Sequence, residues 1–226
     1  MRVHKRAFDL AAAVTALALA SPVLIGVALA VKLTGQDVFF RQQRVGHGLR
    51  PFGVIKFTTM PKGSERLGML AASDDKRPTR LGRFLRRTKL NELPQLINVL
   101  RGEMSIVGPR PLFREQVARY DQSVQEAIAR MRPGITGLGS LFFSAEDDLL
   151  ASVPDKDQFY NDVVLPQKGR LEIHYFENWG FWLDLQIILL TLAAVVSGRR
   201  YFPRNANSLV ADFDARVDAF RASRAG

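Results

Sequence analysis

The stretch Arg86-Arg87-Thr88-Lys89-Leu90-Asn91-Glu92-Leu93-Pro94-Gln95-Leu96-Ile97-Asn98-Val99-Leu100-Arg101-Gly102 joins a basic run to a short apolar-faced helix. Leu93, Leu96, Ile97 and Leu100 recur at i, i+3, i+4 and i+7, which predicts one buried helical face. Gly102 is placed to end that helix as a C-cap. Pro94 is tolerated only in a first turn, so the helix is expected to begin close to Asn91, with Asn91 as its N-cap. A helix start gathers unpaired N–H groups and the positive end of the dipole, and both favour phosphate. Glu92 at that point can ligate a divalent cation that bridges to phosphate. Its plain alternative is favourable charge placement in a first turn. Beyond lies Gly108-Pro109-Arg110-Pro111, where two prolines limit the directions open to Arg110.

Working upstream, Thr79 to Arg87 alternates aliphatic and basic residues at helical spacing, with Leu81, Phe84 and Leu85 expected on one side. It reads either as a solvated cationic face or as a cradle for phosphate or lipid headgroups. Val38–Val45 and Pro51–Phe57 flank the turn Gly46-His47-Gly48 and predict a β-hairpin, with Lys56 near its end. His47 is assigned no role. Glu65 to Lys76 reads as a loop. Between Arg41 and Arg110 stand about fifteen Lys and Arg against about five Asp and Glu, which accounts for the whole net charge of +10. Such an excess calls for an anionic partner. The chain shows no zinc spacing, recognition-helix pattern or aromatic ribonucleoprotein motif, so nucleic acid is set aside. With no cysteine among 226 residues, disulfides and thiolate metal sites are excluded.

At the N-terminus a basic start, Met1 to Arg6, precedes Leu10 to Leu33, which carries a single charge at Lys32. That length suffices for a membrane helix of roughly 20 residues and exceeds the apolar region of a signal peptide. Ser21-Pro22 lies mid-run, and Pro22 is expected to kink or break the helix. Basic residues on both flanks suit a helix that enters the bilayer and returns to the same face. A proline-containing span fits the residues equally well.

Downstream, Phe113 to Met131 reads as one soluble helix, and Gly134-x-x-Gly137-x-Gly139 is a weak dinucleotide signal because no clear strand precedes it. Lys168 to Trp179 reads as a further helix. The apolar run Leu183 to Val196 is interrupted by Asp184 and Gln186 and is too short for a span. Trp179 and Trp182 fit a membrane–water interface, and a buried core helix fits as well. Leu209, Phe213 and Phe220 suggest a final amphipathic helix able to dock on the domain, the membrane or a second copy of the chain, which leaves a homo-oligomer open.

Several motifs now stand in order. These are Lys56-Phe57-x-Thr59-Met60, Leu90-x-Glu92-Leu93-Pro94-Gln95-Leu96-x-Asn98-Val99-Leu100-x-Gly102-x-Met104-Ser105, Val107-Gly108-Pro109-Arg110-Pro111 and Arg132-Pro133-Gly134-Ile135-Thr136-Gly137. Together, and over most of the chain from about Lys5 to Gly198, they resemble the bacterial sugar transferases known as monotopic phosphoglycosyl transferases. The resemblance implies a mostly helical α+β chain. A re-entrant membrane helix broken at Ser21-Pro22 would occupy residues 1–36. A small β-hairpin and a cytoplasm-facing helical catalytic domain with interfacial amphipathic helices would occupy 37–200, and an amphipathic tail 201–226. It further implies residence at the cytoplasmic face of the bacterial inner membrane. The implied activity is transfer of a sugar-1-phosphate from a UDP-sugar to polyprenyl phosphate, with Mg²⁺ and release of UMP, as the first membrane step of glycoconjugate or exopolysaccharide assembly.

By the same resemblance Glu92 ligates the metal or attacks, and Asn91 orients it or a phosphate oxygen. Lys56, Arg86 and Arg110, the last within Pro109-Arg110-Pro111, hold phosphates or the lipid headgroup, and Arg132 meets the nucleotide diphosphate. The chain departs from the family at its most reactive position, where an Asp nucleophile is expected and Asn91 stands. A carboxamide does not readily form an acyl phosphate. Three readings follow: Glu92 attacks; the lipid phosphate attacks directly with Glu92 in support; or the protein binds lipid phosphate or assembly partners without turnover. Thr58 stands where the family usually has arginine, and a phosphate contact is expected to be missing there.

Overall fold

Residues Val3–Leu33 form α1, a helix that continues through Pro22. In the computed structural model, which describes residues 3–61, 78–144, 146–151, 153, 155–197 and 202–223, helical structure runs through Ser21-Pro22, so of the expected kink or break, the chain is not broken there. The physical reason is local. Pro22 has no N–H to offer the Ala18 carbonyl, and the Ser21 hydroxyl donates to that same carbonyl at 2.8 Å, so the freed acceptor is satisfied inside the helix. Among the described residues α1 is the one helix long and apolar enough to cross a membrane. Val14, Leu19, Val23, Ile25, Leu29 and Leu33 are exposed along it.

Two compact units follow from the chain's contacts, one formed by residues 1–46 and 50–106, the other by 47–49 and 107–226. In the first, α1 is part of the packing. Leu24, Val27, Ala28 and Val31 lie against Phe57 and Leu85. Lys5 pairs with Asp9 at 3.8 Å, and the fully buried Asp9 accepts from Ser105 Oγ at 3.0 Å and Ile106 N at 3.1 Å. The Arg6 guanidinium donates to the Val99 and Leu100 carbonyls at 2.6 and 3.0 Å, so a cation sits at a helix C-terminus where the dipole favours it.

The predicted hairpin is present. β1 (Phe39–Val45) and β2 (Pro51–Phe57) pair antiparallel, with Phe40 opposite Lys56, and Gly48 takes the positive φ of 67° that the turn requires. Helix α2 (Arg80–Arg87) is capped by Thr79, whose hydroxyl accepts from Gly82 N. Leu85 is buried in it, whereas Phe84 is 56% exposed, which corrects the expected Leu81-Phe84-Leu85 face. The loop expected at Glu65 to Lys76 lies outside the described residues.

Helix α3 (Gln95–Arg101) starts later than expected. A 3-10 turn over Leu90–Glu92 precedes it, Pro94 is its cap residue, and Gly102 closes it at φ 80°. Asn91 does not cap the helix. The buried face also differs: Gln95, Leu96, Asn98 and Val99 point inward while Leu100 is exposed. The cause is Asn98. Its Oδ1 accepts from Ile55 N at 3.0 Å, and its Nδ2 donates to Gly53 O at 2.8 Å and Glu103 Oε2 at 2.7 Å. One carboxamide thereby satisfies the open edge of β2, and that polar contact turns the helix.

The chain passes to the second unit within β3 (Ser105–Val107). The single helix expected over Phe113 to Met131 is two, α4 (Arg114–Val117) and α5 (Gln122–Arg130). Between them the buried Tyr120 packs with Val124 and Ile128. A strand absent from the sequence reading, β4 (Gly134–Thr136), precedes α6 (Leu138–Phe142). The short α7 (Glu146–Ala151) and α8 (Lys156–Phe159) come next, then a π-turn over Tyr160–Val164 that leads into α9 (Leu165–Asn178) and α10 (Phe181–Ser197). Helix α10 has two faces. Leu183, Asp184 and Ile187 are buried, while Phe181, Trp182, Leu189, Leu192, Val195 and Val196 are exposed.

The final helix, α11 (Asn207–Ala222), docks on its own unit. Phe213 meets Phe142 and Phe143 edge-on, Phe220 meets Phe159, Gln167 donates to the Leu209 carbonyl at 2.8 Å, and Arg170 pairs with Asp212.

Replacing Asn98 by alanine strands the Ile55 amide and the Gly53 carbonyl. At about 1–3 kcal/mol per buried unsatisfied group, Asn98→Ala should lower the melting temperature by several degrees in detergent. An unchanged melting temperature would show that water repairs the edge of β2.

Candidate functional site

In the first unit, Lys56 near the end of β2 lies 3.6 Å from Glu92, with each side chain about one-fifth exposed (22% and 21%). Both β2 and α2 pack against the Leu90–Glu92 turn. Arg86, on the last turn of α2, donates through Nε to the Thr59 hydroxyl at 3.0 Å. The Thr59 carbonyl in turn accepts from Thr79 N at 3.1 Å. A Cβ on Gly82 would come within 2.0 Å of that carbonyl oxygen, so only glycine lets α2 seat on the strand exit. Thr59, part of the Lys56-Phe57-x-Thr59-Met60 motif but given no role there, is thus a site residue; it aims Arg86. Four of the residues named from sequence, Lys56, Arg86, Asn91 and Glu92, belong to this unit.

Asn91 is buried, and its Oδ1 has no hydrogen-bond partner among the described residues. A buried carboxamide oxygen left unmatched is costly, and it stands on the residue adjoining Glu92. No group of three or more His, Asp or Glu side chains suited to a metal occurs among the described residues. Mg²⁺, however, takes one or two protein oxygens and fills its shell with water and phosphate. The side-chain oxygens that this turn has for such an ion are the Glu92 carboxylate and the Asn91 amide oxygen, on adjoining residues.

In the second unit the Val107–Pro111 and Arg132–Gly137 segments are held backbone to backbone. Gly108 N donates to Thr136 O at 3.0 Å and Gly134 N to Pro109 O at 2.8 Å. A Cβ at Gly108, Gly134 or Gly137 would lie within 2.1–2.3 Å of facing backbone. The glycines read as a weak nucleotide motif are therefore a packing device. It brings together the loops that carry Arg110, which is exposed, and Arg132, which is half-buried.

Beneath this clamp lies a residue that the sequence reading passed over. Glu172 on α9 is buried, and its Oε1 lies so close to Gly139 that a Cβ there would come within 2.9 Å of it. Burial pushes its pKa up to about 7, while the Arg110 amide and the Lys168 charge oppose the rise. Lys168 itself is held by Glu146 at 2.7 Å and lies over the rings of Phe143 and Tyr160. Burial, with Glu172 next in weight, raises the Tyr120 phenol well above its ordinary value. The available signal was Glu172 sharing a stripe with Leu171 and Tyr175 at helical spacing. Asp184, read as an interruption of an apolar run, likewise has a partner: it accepts from Tyr175 Oη at 2.7 Å.

The family model described as bacterial sugar transferase matches residues 1–198. The chain belongs to the bacterial sugar transferase family. It is 40% identical over 212 residues to the undecaprenyl-phosphate glucose phosphotransferase of Komagataeibacter xylinus, covering 90% of this chain and 37% of that protein. Identity is 34% over 214 residues to the exopolysaccharide production protein ExoY of Sinorhizobium fredii, covering 87% of each. It is 39% over 196 residues to the UDP-glucose:undecaprenyl-phosphate glucose-1-phosphate transferase of Escherichia coli K12, covering 84% of this chain and 40% of that protein. The chain thus spans well under half of the first and third of these relatives and most of the second. For this family member, α11 lies beyond the matched residues, yet its aromatic side chains complete the core of the second unit.

Glu172 makes stability depend on pH. Below about pH 4.5 the carboxyl is protonated whether folded or unfolded. From there to about 7 the unfolded chain loses its proton first, so this group's contribution falls as pH rises. In thermal unfolding, the melting temperature of Glu172→Gln minus that of wild type should therefore climb across this window and level off above it. A flat difference would place the Glu172 titration elsewhere.

Proposed function

We propose that the chain transfers a sugar-1-phosphate from a UDP-sugar to polyprenyl phosphate with release of UMP, as the membrane step that begins exopolysaccharide or related glycan assembly. The Lys56–Glu92 pair, reinforced by Arg86 on Thr59 and by the buried Asn91 oxygen, carries the reading. It sets a carboxylate for a cation, on the Leu90–Glu92 turn, against a lysine for phosphate on β2, within a chain two of whose relatives are named for this transfer.

Asn91 replaces the family's attacking carboxylate, and the Glu92 charge is engaged by Lys56. Direct displacement fits these facts best. An oxygen of the polyprenyl phosphate forms a bond to the sugar-bearing phosphorus, the bond from that phosphorus to the UMP oxygen breaks, and UMP leaves with the electron pair. Lys56 and Arg86 offset the repulsion between the two anions. Arg110 and Arg132 hold the donor diphosphate. Glu92 and the Asn91 oxygen would hold Mg²⁺, which when bound supplies charge neutralisation on the phosphates. The membrane part of the reading is a re-entrant α1, with helix bending at Pro22 made tolerable by Ser21, at the cytoplasmic face of the inner membrane.

Purified protein with Mg²⁺, polyprenyl phosphate and a panel of UDP-sugars should release UMP. Glu92→Gln should lower kcat by about a hundredfold or more. Wild type should trap no labelled phosphosugar on the protein, whereas Asn91→Asp should trap it. Label trapped on wild type would make Glu92 the nucleophile and end the direct route, and no UMP with any donor would end the transferase reading.

The chain has no cysteine, so Val3→Cys provides a unique label. In right-side-out vesicles it should resist membrane-impermeant thiol reagent until the vesicles are opened. Labelling from the periplasmic side would refute re-entry.

A further inference from the structure

We propose that the outer face of α2 is a docking surface for anionic phospholipid headgroups, with Arg80, Arg83 and Arg87 meeting the phosphates and Phe84 entering the acyl boundary between them. It goes beyond the transfer reaction and does not depend on it.

Spacing sets the face. Arg80, Arg83, Phe84 and Arg87 stand at i, i+3, i+4 and i+7, so they form one stripe along the helix, and all four are exposed. Leu81 and Leu85 take the opposite side and pack into the core. Gly82 and Arg86 turn to Thr59. The core and the phosphate-handling residues thus each use their own side of α2, and the stripe serves neither.

The stripe is unfavourable in water alone. Helix α2, RLGRFLRR, contains no acidic residue, so its arginines three and four apart set like charge against like. Arg80, in the first turn, also stands at the positive end of the helix dipole. Among the described residues neither Arg80 nor Arg87 has a carboxylate partner, and the Arg83 guanidinium donates to the Pro78 carbonyl at 2.8 Å. Between these cations Phe84 leaves more than half of its surface outside. The arginines call for anions and the ring calls for an apolar layer. An anionic bilayer offers both within a short depth, phosphates above and chains beneath. A soluble polyanion answers the arginines only.

Helix α2 is also carried where such a surface is close. Leu81 and Leu85 share a cluster with Leu24, Val27, Ala28 and Val31 of α1, the one helix among the described residues long and apolar enough to cross a membrane. Over the same turns α1 keeps Val23, Ile25, Leu29 and Leu33 exposed.

The test labels the stripe itself. The chain has no cysteine, so Phe84→Cys carries a single nitroxide, itself apolar, in place of the ring. The purified chain is placed in nanodiscs of phosphatidylcholine alone, or with about one-third phosphatidylglycerol. Collision with oxygen and with a water-soluble nickel chelate then reads the depth of the label. With phosphatidylglycerol the label should sit about 5–10 Å into the headgroup and acyl boundary, and in phosphatidylcholine alone it should stay in water. Raising salt from about 0.1 M to about 1 M, which shortens the screening length from about 10 Å to about 3 Å, should return it to water. Adding Arg80→Gln and Arg87→Gln should shift the docked-to-undocked ratio about tenfold or more toward water, with the melting temperature in detergent unchanged. Arg80→Lys with Arg87→Lys should keep the label docked. Phosphatidylcholine discs holding only a trace of polyprenyl phosphate should leave it in water, which separates the bulk headgroup from the lipid substrate.

A label in water in both kinds of disc overturns the proposal. So does a label buried equally in both and indifferent to salt, because protein then covers the face. Docking by polyprenyl phosphate alone would make the stripe a substrate contact and overturn it as well. Docking that survives the two glutamine substitutions would show that charge does not drive it, with the same consequence.

Discussion

A single carboxamide, that of Asn98, stands in for a missing strand. Strand β2 has β1 on one side and an open edge on the other, and unpaired edge groups must find partners or stay wet. Asn98 supplies an acceptor to Ile55 and a donor to Gly53, and so locks α3 onto β2. Because Glu92 lies just ahead of α3 and Lys56 follows Ile55 in β2, this lock also decides that the carboxylate and the amine meet. The helix gives up its more apolar face to make the bond, and Leu100 remains outside.

A second economy operates through glycine. Gly82 lets the Thr59 carbonyl approach α2, and the Gly108–Gly134–Gly137 group lets two loops touch without side chains between them. In each case an arginine is what the close approach locates: Arg86 by its bond to Thr59, Arg110 and Arg132 by the paired loops. Backbone contact is stiffer than side-chain packing, since it cannot be relieved by rotamer change. Such stiffness suits groups that must bind anions in fixed geometry.

The apolar helix α1 is tied down by polar contacts at its start. Arg6 caps α3, and Asp9 is buried against Ser105 and Ile106. Its first turns belong to the folded unit through these bonds and its last turns through Leu24, Val27, Ala28 and Val31 against Phe57 and Leu85, while Leu19, Val23, Ile25 and Leu29 stay exposed along the same helix.

Much was legible from sequence because it depends on local rules. The hairpin followed from two β-rich segments around a glycine turn, the end of α3 from Gly102, and the apolar length of α1 from composition. The motifs around Glu92 and Arg110 were sufficient to place the chain among sugar transferases. What sequence could not supply was decided at long range. The later start of α3, its rotated face and the inward burial of Asn91 result from docking on β2. The satisfaction of the Ala18 carbonyl near Pro22 depended on a side-chain rotamer. Glu172 looked like one more charge on a soluble helix; only tertiary packing removed its water. Periodicity and turn chemistry specify elements, because those are written in neighbouring residues. Burial, and the chemistry that burial creates, belongs to residues far apart in the chain.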